Sequence, residues 1–252
     1  MKPVLLNTNA VKAILAGRKT TFRLPIKPQP EFLDGETGTP ERCGDGNWCF
    51  KIDQYTSIYD FDYKPPYQPG DLLYVRETWA FDTGDADDEI GTGYFIYRAD
   101  DLHHPDCKWR PSVRMPKEAA RIFLRVKSIR VERLQDITDE GAVKEGIARM
   151  FDHLSDAEYA AWGNKAAKGK TKADWPWNNY LWHGDFGRYG TGNRLSDAWP
   201  YQSSGYDAPR DSFSSLWNLT VDLKDWDTYG WGANPWVWVI EFEEVPKKEV
   251  GQ

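Results

Sequence analysis

The stretch from Arg121 to Leu134 constrains the fold more than any other. Ile122, Leu124 and Val126 alternate with Phe123, Arg125 and Lys127; the phase slips at Ser128, and Ile129 and Val131 then carry the apolar face onward. Such alternation marks a half-buried strand, and the slip predicts a bulge. A long strand needs partners to be stable. Asp71–Trp79 (DLLYVRETW) and Gly93–Arg98 (GYFIYR) read as further strands, and Trp236–Phe242 (WVWVIEF) as a buried closing strand. In regular pairing Tyr74 and Arg76 share one face of the second strand, and Glu77 and Trp79 the other.

The helical signals are short. Thr8 or Asn9 caps a helix carrying Val11, Ile14 and Leu15, which Gly17 ends. Thr138 caps another, with Asp139 and Glu140 in its first turn, Glu145 near its end and Gly146 closing it. Asp211–Leu219 reads as a third, with Phe213, Leu216 and Trp217 on one face. Many short strands, few short helices and no regular βαβ alternation predict an α+β fold, a small mixed β-barrel rather than a doubly wound sheet. Residues 27–70 are rich in Pro, Gly and Asp and read as loop with one hairpin around Asn47–Ile52; Asp82–Glu89 reads as an acidic loop. Residues 149–210 carry Trp162, Trp175, Trp177, Trp182 and Trp199, with little periodicity beyond a helix over 154–162. So many indoles predict an ordered insertion, held down by burial of those rings.

Charge is unevenly placed. The net charge is −7, yet residues 1–30 carry six basic side chains and no acid, and residues 110–134 carry eight basic and two acidic. Each segment is +6, which leaves −19 on the remainder. If the two segments meet, they form one basic face on an acidic protein, as a polyanion site requires; the alternative is two solvated strand faces. Cys43, Cys49 and Cys107 are three, against a disulfide framework. A zinc site would need these three and His103 or His104; the spacing fits no compact finger, and three ordinary thiols are the simpler reading. No apolar run is long enough for a membrane helix, and the N-terminus lacks the run and cleavage site of a signal peptide, so a cytoplasmic protein with no membrane contact is expected. No motif calls for a cofactor.

The order GRKT, PGDLLYVRETW, the basic strand ending VERLQDIT, a capped helix ending KEG, RDSFSSLW and NPWVWVIEF resembles the ASCH superfamily, and more narrowly the ASCH-domain proteins of phages and prophages. The resemblance covers roughly residues 1–30, 66–148 and 208–244, with 31–65 and 149–207 as insertions in a single domain. It implies a PUA-like barrel with a cleft for RNA or a modified nucleoside, in the host cytoplasm if the chain is phage-encoded. One bacterial ASCH group consists of amidohydrolases that deacylate N4-acetylcytidine. By resemblance its catalytic Lys falls on Lys19 and its catalytic Glu on Glu145, while its nucleophilic Thr falls on Phe22, which has no nucleophile.

The residues allow the same chemistry to be read directly. A threonine hydroxyl needs an adjacent base, and a lysine serves as one only where burial or a neighbouring cation favours its neutral form. Arg18 and Arg23 flank Lys19, Thr20 and Thr21 are the nearby hydroxyls, and Glu145 could orient Lys19 or shuttle a proton. The alternative makes Lys19 a phosphate contact and Glu145 its salt-bridge partner. Arg18, Arg23, Arg76 and Arg114 are candidate phosphate contacts, since a guanidinium grips phosphate in a fork. Trp79 is the candidate stacking platform for a base, or else a core side chain. Three functions stay open: a reader of RNA or a modified nucleoside, an amidohydrolase, and a protein-binding module using 149–207.

Overall fold

The computed structural model describes residues 1–32, 38–43, 46–52, 58–82, 93–100, 107–149, 152, 171–174, 177 and 206–250. They form a mixed α+β structure with three sheets and few helices. Among these residues no helix is long and apolar enough to cross a membrane. The chain divides into two compact units, one made of residues 1–23, 32–130 and 238–252, the other of 24–31 and 131–237.

The largest sheet joins β1 (Lys2–Leu5), β2 (Thr21–Pro25), β6 (Leu72–Arg76), β9 (Phe123–Arg133) and β10 (Trp236–Val245) in the order β1-β6-β9-β10-β2. β1 runs parallel to β6, and β9 antiparallel to it. The middle strands fill the core: Leu73, Val75, Leu124, Val126, Val239 and Ile240 are all buried. The burial phase of β9 passes from the even positions 122, 124 and 126 to Val131, as the slip at Ser128 predicts. None of the three sheets closes on itself among the described residues.

In the first unit α1 (Thr8–Leu15) starts one residue earlier than the spacing predicts. Asn7 is the cap, its side-chain oxygen accepting from the Ala10 N–H at 2.8 Å. Gly17 ends it at φ +68°, a left-handed turn that Gly adopts without strain. The expected loop before residue 66 holds a three-stranded sheet, β3 (Gly38–Arg42), β4 (Trp48–Ile52) and β5 (Ile58–Tyr63). Its runs are short and bounded by turns, so composition hides them. Aromatic burial holds them: Phe50 packs edge-on against Phe32 and Tyr63, and Trp48 against Trp238. The expected strand Asp71–Trp79 is two strands. β6 ends at Arg76, and β7 (Trp79–Asp82) pairs with β8 (Tyr94–Tyr97) in a separate sheet.

In the second unit α2 (Asp139–Lys144) is capped by Thr138, whose hydroxyl accepts from the Gly141 N–H at 3.0 Å. It packs against α3 (Pro209–Thr220), which buries Phe213 and Trp217. The Trp217 indole donates to the Tyr229 carbonyl, in α4 (Trp226–Tyr229), at 2.7 Å. In the expected insertion Trp177 is tied by paired backbone hydrogen bonds to Tyr206 and lies under the Arg149 guanidinium at 4.4 Å. The helix predicted over 154–162 and most of the acidic loop lie outside the described residues.

Candidate functional site

The turn after α1 places a short charged face on β2. Both the Arg18 and Lys19 N–H groups donate to the Ala13 carbonyl, at 2.8 and 3.0 Å, which closes the helix and turns the chain into the strand. From there Lys19, Thr21 and Arg23 alternate along the backbone, and all three are buried, at 6, 2 and 7% exposure. Alternation puts Thr21 and Arg23 on one strand face, with Lys19 two positions ahead of them. Phe22 points the other way and packs on Phe242 and Tyr67, its ring 5.6 and 6.1 Å from theirs. Thr20 is exposed, its carbonyl accepting from the Phe242 N–H at 3.0 Å. Arg18 is half-buried. Of the expected site residues around this turn, then, Lys19, Thr21 and Arg23 are buried and Thr20 is exposed.

Glu145 belongs to the second unit. It follows the last residue of α2, where its N–H donates to the Gly141 and Ala142 carbonyls, and its side chain is buried at 4% exposure. Gly146 then takes φ +85°. Arg114 ends a short 3-10 turn and is exposed. Arg76 donates through Nε to the Met115 carbonyl at 2.8 Å and lies over the Tyr74 ring.

Of the two readings of Trp79, the core side chain is the one its burial fits. At 4% exposure it sits in a cluster with Met115, Ala119, Ala120 and Phe123. The reason is the break after Arg76: β7 pairs with β8 and bridges to Arg110, which covers the ring from the outside at 5.0 Å.

The sequence reading missed Glu77. At 1% exposure it is an almost fully enclosed carboxylate, gripped by Arg121 through Nε at 2.9 Å and Nη2 at 3.0 Å. Arg121 also reaches Asp100 at 2.7 Å and stacks 3.9 Å over Tyr97, whose hydroxyl donates to the Ala119 carbonyl at 2.6 Å. Burial pushes the Glu77 carboxyl above its usual range, although Arg121 pulls it back. Arg121, which burial would lower, is held above its usual range by hydrogen bonds to Glu77 and Asp100. The available signal was phase: Glu77 continues the buried series Leu73, Val75, where a carboxylate demands a cation.

The basic strand meets acids. Arg125 and Lys127 pair with Glu243, and Arg130 with Glu241. Cys43 and Cys107 are half-buried, and Cys49 is buried; among the described residues no three His, Cys, Asp or Glu side chains group as metal ligands. His103 and His104 lie outside those residues. No family model matches the chain, and comparison with curated proteins and with solved structures gives no match.

Proposed function

We propose that this chain is an ASCH-type, PUA-like protein that holds RNA or a modified nucleoside against the β2 face of Lys19, Thr21 and Arg23. In this reading the five-stranded sheet is the described part of a small mixed barrel. The supporting observation is the enclosure of two cations and a hydroxyl along five residues of chain. Positive charge in a water-poor setting acts more strongly on an anionic or polar ligand than the same charge in bulk water. A thermal-shift screen against modified nucleosides tests it. A ligand should raise the melting temperature, and Lys19→Ala or Arg23→Ala should weaken that shift. A folded Lys19→Ala variant with an undiminished response would end the reading.

The second reading, an amidohydrolase acting on an acylated base such as N4-acetylcytidine, draws support from one observation. Thr21 is buried as Lys19 is, whereas Phe22, at the position the resemblance gives the nucleophile, is packed in aromatic core. Glu145→Gln separates the two. A reader with this substitution should bind nearly normally. An amidohydrolase should keep binding but lose turnover by about 100-fold or more, a typical size for acid–base contributions.

A further inference from the structure

The sheet of β7 and β8 carries a row of aromatic rings on one face. Register pairs Trp79 with Tyr97 and Phe81 with Phe95, so all four project to the same side. The row grades from the core outward: Trp79 is 4% exposed, and Phe81, at the far end, is 43% exposed. Phe95 links them, its ring 5.6 Å from Trp79 and 5.2 Å from Phe81. The Phe81 ring lies over the backbone of Gly93, where any Cβ would strike it, so the glycine leaves the outer ring its place.

Two arginines stand at the inner, Trp79–Tyr97 end of the row. Arg110 lies over Trp79, and Arg98, which follows β8, lies 5.3 Å over Trp109. Both arginines are exposed, as are Lys108, Arg114 and Lys117 nearby in the chain. No ion pair engages any of these five among the described residues, whereas Arg125, Lys127 and Arg130 on β9 each meet a glutamate. A guanidinium over a ring can still offer N–H donors to oxygen acceptors such as phosphate. One exposed ring, with cations that have no ion pair among the described residues at the other end of its row, suits a strand whose bases stack while its backbone is neutralised.

We infer that the β7–β8 face, with Phe81 outermost and Arg98 and Arg110 at its inner end, is a docking platform for a single-stranded polynucleotide. This rests on the RNA-binding reading above but uses none of its β2 residues.

The test is fluorescence anisotropy with labelled oligouridylate and oligothymidylate of about 12 nucleotides, within the span such sites cover. Wild-type protein should bind, and binding should weaken between about 50 and 200 mM salt. Phe81→Ala should weaken it about 5- to 150-fold, the range for one stacked base. Arg98→Ala and Arg110→Ala should each lower the slope of log affinity on log salt by about 1. Arg98 and Phe81 are exposed, so their variants test the platform even if Arg110→Ala loosens Trp79. A preference for the ribose oligomer assigns RNA, and equal binding assigns either backbone. Failure of both oligomers to bind, unchanged affinity in the Phe81 and Arg98 variants, or equal competition by polyglutamate would overturn the platform. If a nucleoside stabilises the protein while no oligomer binds, the platform falls and the β2 reading stands. Oligomer binding that survives Lys19→Ala and is lost in the platform variants upholds the platform without β2.

Discussion

Glu77 survives as an enclosed carboxylate because Arg121 satisfies both its oxygens, while Asp100 and the Tyr97 ring hold the guanidinium in place. Removing one partner of such a pair costs more than the pair contributes, because a lone charge stays behind in the core. Arg121→Leu should therefore lower stability by about 3 kcal/mol near neutral pH. The pH dependence has a definite sign. Burial already raises the Glu77 carboxyl, and losing Arg121 removes what pulls it back. A group raised on folding contributes stability that is fully present below its unfolded value, near 4.3 for Glu, and lost as pH rises through the folded value. Urea midpoints for the variant should therefore fall, relative to wild type, as pH climbs from about 4 towards 8; a constant difference would contradict this account. Gly93 is a second residue of this kind. A Cβ there would meet the Phe81 ring and lie 2.6 Å from the Asp82 carbonyl oxygen. Gly93→Ala should cost about 1–3 kcal/mol, read by thermal melting, as overpacking against backbone does.

At the scale of elements, each helix stop that glycine signals is where the sequence puts it. Gly17 and Gly146 both take the positive φ that ends a helix, and Thr138 caps α2 as its position before Asp139 and Glu140 predicts. Thr138→Ala should cost about 1 kcal/mol, since the Gly141 N–H loses its acceptor; a melting temperature unchanged within error would remove the cap from the account. Long strands were legible for the same reason, because one apolar face sets their phase. The break between β6 and β7 was not legible. Nothing local interrupts DLLYVRETW; the Glu77 N–H is drawn to the Met115 sulfur, and Trp79 to the Arg110 backbone, by residues more than thirty positions away. The three strands between residues 38 and 63 were hidden likewise, since their rings find partners such as Trp238 far along the chain. Of the β2 face, the residues were legible and their common burial was not: alternation suggests it only once Phe22 is known to face the core.

For the whole molecule, the three thiols give a direct check on burial. Cys43 and Cys107 should react promptly with a coloured disulfide reagent in the native protein, and Cys49, 8% exposed, only on unfolding. Three prompt thiols would mean that β4 opens readily. The sheet order also bears on how the molecule is made. β2 pairs within the main sheet only with β10, and roughly two hundred residues separate them in the chain. At a synthesis rate of about 5–20 residues per second, β2 waits about 10–40 s for its partner to be translated. Throughout that interval β2 lacks its partner in the main sheet, and β9 has only β6 beside it. A ribosome that stalls before Trp236 therefore releases a product with an open sheet edge on β9, a ready substrate for chaperones and for aggregation. Assembly of the β2 face is thus a late event, timed by the last strand and not by the first.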